Sequence, residues 1–156
     1  MKHATITEST FMDEADLRLK TKPRGRPRHK MLVSFSAAYF AGTLVTDLVY
    51  WQTPDVLWER FSIWLITAGV VMAGLAAVAY VIDRASGRQI DRPAWPGVVG
   101  YALAVLLSVI NAFVHSRDGY TAVVPTGLML SGLVVVVLLL TAGASAVLGN
   151  RDRVGE

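Results

Sequence analysis

The residues best suited to chemistry gather between positions 108 and 131, SVINAFVHSRDGYTAVVPTGLMLS, where Asn111, His115, Arg117 and Asp118 crowd the turn between two apolar runs. Ionisable groups are costly at membrane depth, so such a cluster marks an interface anchor or a working site. Asp47 joins it from an earlier apolar run, one helical turn before the aromatic pair Tyr50 and Trp51. Asp47 and Asn111 are expected at one depth, with Thr126 near them and Arg60, His115 and Arg117 just above. A carboxylate placed there can hold a proton, pair with Arg117, or bind a quinone headgroup or a cation. The plainer reading carries more weight: a polar clasp that satisfies itself between packed helices.

Histidine invites the question of haem, since haem b in a helical membrane subunit is usually held by one or two axial histidines on facing helices. The three histidines are His3, His29 and His115. His29 and His115 fall at opposite ends of their runs, roughly a bilayer thickness of ~30 Å apart, too far to share one haem. Pairing His115 with Met129 is the remaining arrangement, and nothing else in the sequence supports it. Asp83 reads as a negative group at the headgroup boundary beside Arg84. No nucleotide-binding loop, zinc signature or nucleophile–base pair is present, so no catalytic residue and no metal ligand is assigned.

The elements that must position these residues follow from the charge distribution. Of the 156 residues 53% are hydrophobic and only 17% charged, and the charge is confined to the ends and connections. At this length one domain is expected. Four apolar runs, 31–51, 61–82, 97–115 and 123–148, are each near the ~20 residues that a bilayer-crossing helix needs. The fold expected is an all-α membrane protein, four transmembrane helices in an antiparallel bundle over 31–150, with a polar tail at 1–30 and a short one at 151–156. In the first run Ala38, Gly42 and Thr46 fall four apart, and the second is rich in Gly and Ala, implying close packing on two sides. Thr53 is expected to cap the second helix, with Pro54 in its first turn and Asp55 at the positive end of its dipole. Pro125 is expected in the first turn of the fourth, whose VVVVLLL run should meet lipid or another subunit.

Seven basic residues lie between Arg18 and Lys30, Arg84, Arg88 and Arg92 lie in the middle connection, and Arg151 and Arg153 follow the last run. Only Arg60 and Arg117 fall on the other side. The positive-inside rule therefore places both termini in the cytoplasm of a bacterial inner membrane. No apolar leader opens the chain, so the tail is expected to be retained; residues 10–20 could form a short helix before Pro23, Gly25 and Pro27 end it. Within the tail, KPRGRPR at 22–28 resembles the AT-hook, whose Arg-Gly-Arg core enters the minor groove of A·T-rich DNA. Directly before a membrane span, Arg24, Arg26 and Arg28, like Arg84, read better as topology determinants that touch lipid headgroups. With no cysteine in the chain, a disulfide framework, a thiolate-held cluster and palmitoylation are excluded.

The stretches GTLVTDLVYWQTPDVLWERFSIWLITAG, AAVAYVIDR and NAFVHSRDGYTAVVPTGLMLS, with MLV before them, resemble the bacterial predicted-membrane-protein family known as domain of unknown function 2231, over most of 31–141. The resemblance implies a four-helix inner-membrane protein often encoded near redox enzymes such as quinoprotein sugar dehydrogenases and cytochromes c. It implies no biochemical activity. The chain departs from the family pattern at Lys30, Ser34 and Ser36, where prolines are common, and at Gly97 and Tyr101, where a histidine and an asparagine are common. The expected role is a non-enzymatic accessory or anchor subunit of a respiratory or redox complex, contacting lipid and other subunits or a second copy. The rivals are a small proton or cation transporter or channel, and an electron-transfer subunit carrying quinone or haem b.

Overall fold

The computed structural model describes residues 28–86, 95–117 and 123–154, with side-chain surroundings for 124–148 of the last stretch. Asp118, Arg24, Arg26, the AT-hook-like core and the proposed 10–20 helix lie outside the described residues. Four helices follow one another: α1 (Arg28–Gln52), α2 (Val56–Ala85), α3 (Trp95–Arg117) and α4 (Leu128–Val154), the last preceded by a wide turn at Val123–Gly127. Each helical stretch is long and apolar enough to cross a membrane.

The boundaries correct the sequence reading in two places. α1 starts at Arg28 rather than residue 31 and so takes His29 into the helix. α2 is capped by Asp55, whose Oδ1 accepts the Leu57 amide hydrogen at 2.9 Å. The Thr53 hydroxyl instead donates back to the Val49 carbonyl at 3.2 Å, which makes Thr53 part of the close of α1. Pro125 lies in the π-helical turn Val123–Gly127 that opens the fourth helix, where a first-turn proline is expected. Val124, immediately before the proline, is extended (φ −120°, ψ 123°), as expected where the proline ring crowds the preceding residue out of the α region.

Packing follows one seam. The buried positions of α1 include His29, Ser36, Phe40, Thr43, Asp47 and Tyr50, and those of α2 include Glu59, Ser62, Ile66, Gly69, Ala73, Ala76 and Asp83. Their alternating steps of three and four residues repeat every seven, the spacing that keeps one stripe of a helix against its neighbour. The beginning of α1 meets the end of α2, where His29 Nδ1 lies 3.6 Å from Asp83 Oδ2 and the imidazole stands edge-on to Tyr80. The end of α1 meets the beginning of α2 through Asp47 and Ser62. α3 packs chiefly on α4, and contacts of α1 with α4 and of α2 with α3 close the group.

A small apolar core of Phe40, Ala104 and Val134 fills the middle. A Cβ added at Gly69 would lie 2.5 Å from Phe40 Cε1, so only glycine lets the Phe40 ring lie against the α2 backbone there. Part of the small-residue surface of the second helix is nonetheless unpacked: a Cβ at Gly74 would meet nothing within 4 Å, and Ala77 is exposed. In α4, Val134 is buried whereas Leu139 and Leu140 face outward. The VVVVLLL run therefore places Val134 in the core with Val137 and Leu138 packed against it, and turns Val136, Leu139 and Leu140 away.

Candidate functional site

Asp47 and His115 form a closed pair at the end of the bundle where α1 and α3 finish. His115 Nε2 lies 3.1 Å from Asp47 Oδ1, and both side chains are fully buried. The other ring nitrogen, Nδ1, lies 3.0 Å from the Asn111 carbonyl one turn earlier in α3. A carbonyl oxygen only accepts, so Nδ1 carries a hydrogen. A second proton must then lie between Nε2 and the carboxylate. The pair is either imidazolium with carboxylate or imidazole with carboxylic acid, and its net charge is zero in both forms. That neutrality avoids most of the penalty for burying an ion at membrane depth.

The other helices supply the remaining donors. Ser62 of α2 donates to Asp47 Oδ1 at 2.5 Å, and Ser131 of α4 donates to Oδ2. Because Ser62 commits its single hydrogen to Asp47, the Thr46 hydroxyl 2.7 Å away is the donor in that contact. Asn111 Nδ2 donates to Ser131 Oγ at 2.9 Å. Two relays thus point at one carboxylate, Thr46 to Ser62 to Asp47 and Asn111 to Ser131 to Asp47. Charge-assisted hydrogen bonds of this kind are stronger than neutral ones. The His115 ring itself rests on α4: a Cβ at Gly127 would lie 2.7 Å from His115 Cε1, so the absence of a side chain there is what admits the imidazole.

Of the residues singled out in the sequence, three meet in one network and the others lie apart from it. Asp47, Asn111 and His115 join as one network, with Ser131 as the bridge between Asp47 and Asn111. Arg117, expected as the partner of Asp47, is exposed at the end of α3, and His115 holds the carboxylate in its place. Thr126 and Arg60 are exposed, and Met129 is 70% exposed, which removes it as a ligand paired with His115. Asp83, expected at the surface beside Arg84, is buried against His29. Arg28 and Arg84 are exposed, in keeping with contact to headgroups.

Sequence reasoning missed Thr46 as a hydrogen-bonding group, and Ser62, Ser131 and Glu59 altogether. Glu59 is 5% exposed, one turn before Ser62 on the packed face of α2. The signal that could have found Glu59 and Ser62 is the seven-residue repeat itself, since both occupy the stripe that carries Ile66, Gly69 and Ala73. Among the described residues no group of three or more histidine, aspartate or glutamate side chains is arranged to hold a metal.

No curated protein and no solved structure matches the chain. A family model described as "Predicted membrane protein (DUF2231)" matches residues 25–156, a span that takes in all four helices and every member of the Asp47 network. The chain therefore belongs to this family of predicted membrane proteins.

Proposed function

We propose that the protein is a non-catalytic, multi-pass accessory subunit that anchors or stabilises partner chains of a redox or respiratory-type complex in the bacterial inner membrane. In this reading the helices form an antiparallel up-and-down bundle with both termini in the cytoplasm. The orientation is supported by the excess of Arg and Lys before α1 and between α2 and α3. The antiparallel arrangement of α1 and α2 is supported by the end-to-start contacts at His29–Asp83 and Asp47–Ser62.

The observation that carries the proposal is that the Asp47–His115 pair is committed to the bundle. Both nitrogens of His115 and both oxygens of Asp47 have partners inside the bundle, as befits a clasp that fixes the helices. An axial haem ligand needs a free ring nitrogen, and a cation at Asp47 would have to displace three donors. What the helices leave for partners is their outer surface, with Trp64, Phe113, Met129, Leu139 and Leu140 all turned outward toward lipid and neighbouring subunits. The redox setting rests on the family resemblance.

A second reading, proton transport, is favoured by the proton that His115 and Asp47 share. Purification from its native membrane in mild detergent separates the two. Companion chains that copurify without a haem Soret band support the anchor. A lone protein that moves protons across liposomes supports the transporter and overturns the anchor. A Soret band from the protein alone would overturn both.

A further inference from the structure

We propose that the bundle contains a specific binding site for one water molecule, set between all four helices beside the Asp47 clasp. The site is a small cavity, about 10 Å³ as the space open to the centre of a water molecule, lined by Phe40, Thr43, Ile66, Ser108, Asn111, Ser131 and Val134. A cavity of this size sits at the lower bound for a single water, which also needs two to four polar partners.

The polar lining meets that requirement in a particular way. The Thr43 hydroxyl donates to the Tyr39 carbonyl at 3.1 Å, and that of Ser108 to the Ala104 carbonyl at 2.9 Å. Ser131 donates to Asp47. Every hydroxyl hydrogen around the cavity is already spent, so each oxygen presents lone pairs. Asn111 Oδ1 is buried and has no hydrogen-bond partner in the protein, although Asn111 is only 2% exposed. The opposite orientation of the amide does not relieve this: it would aim Oδ1 at the Ser131 oxygen, whose single hydrogen goes to Asp47, and so set two acceptors against each other. An unpartnered buried carbonyl costs on the order of 1 to 3 kcal/mol.

Hydroxyls with only lone pairs to offer, together with the unpartnered Asn111 Oδ1, call for an occupant with hydrogens to give. Water has two, one for Asn111 Oδ1 and one for Ser108 or Thr43. A sodium ion also answers lone pairs, but Asp47 is already neutralised by His115 and the rest of the wall is Phe40, Ile66 and Val134, so a bare charge would be poorly compensated. With the water in place, hydrogen bonding runs without a break from Asp47 through Ser131 and Asn111 to the middle of the bundle. This proposal does not depend on the anchor reading.

The test is a density map of the full-length protein in nanodiscs at better than ~2 Å, together with melting curves in sodium chloride and in choline chloride. One isolated peak within hydrogen-bonding distance of Asn111 Oδ1 and of a neighbouring hydroxyl, with equal melting temperatures in the two salts, is the expected result. An empty or collapsed cavity overturns the proposal. A peak ringed by four or more close oxygens, with a melting temperature that rises only in sodium, overturns it in favour of a cation site.

Discussion

At the scale of single residues, the central fact is a carboxylate that receives hydrogen bonds from three other helices. Asp47 sits on α1, Ser62 on α2, His115 on α3 and Ser131 on α4. Removing one member of such a pair leaves its partner buried and unmatched, which typically costs 3 to 5 kcal/mol. Asp47→Ala is therefore expected to lower stability in detergent by about 3 kcal/mol and Ser131→Ala by about 1 kcal/mol. The double variant should lose less than the sum, because the two residues touch; denaturation of all three variants gives the coupling directly. Arg117→Ala, by contrast, should leave the melting temperature unchanged and show no coupling with Asp47→Ala. Strict additivity of Asp47 with Ser131, or coupling of Asp47 with Arg117, would undo the network described.

At the scale of helices, close approach depends on a few glycines that face side chains across the seam. Gly69→Ala should force the Phe40 ring aside, at an overpacking cost of about 1 to 3 kcal/mol, and Phe40→Leu in the same chain should recover part of the loss. Gly74→Ala is the matched control: its added methyl meets nothing within 4 Å, and the higher helix propensity of alanine should leave stability equal or slightly improved. Thermal unfolding of the three variants compares them on one scale. α1 and α2 are also fastened at both ends by polar pairs, His29 with Asp83 and Asp47 with Ser62. The polar groups thereby set the register of helices whose apolar faces would slide with little penalty in lipid.

At the scale of the whole molecule, the predictions concern orientation and the tail. Alkaline phosphatase fused after Glu156 should be inactive, because that enzyme works only outside the cytoplasm; an active fusion would reverse the topology. The tail motif at 22–28 is expected to act through charge. Arg24→Lys and Arg26→Lys together keep the charge while removing the guanidinium groups that suit a narrow minor groove, so fractionation should still find the protein in the membrane. Selective binding of A·T-rich DNA by the full-length protein, lost in the lysine variant, would assign the tail to nucleic acid instead.

The sequence alone determined that there are four apolar helices, because a bilayer-length run interrupted by charge is legible without any partner. It also singled out Asp47, Asn111 and His115, since polar groups inside or at the edge of apolar runs stand out by composition. The choice of partner for Asp47 belonged to the tertiary structure. By depth, Arg117 and His115 were equal candidates, and the rotation of α3 decided between them, burying positions 104, 108, 111 and 115 and turning Arg117 outward. The same rotation problem hid Ser62 and Ser131, since serine is common in membrane helices and most serines there bond to their own backbone. Asp83 and Arg84 are neighbours in the chain, yet only the packing of α2 on α1 set Asp83 inward against His29 and left Arg84 at the surface. Composition determines depth because burial in lipid is a property of one segment, whereas facing is a property of pairs and appears only when the helices have packed.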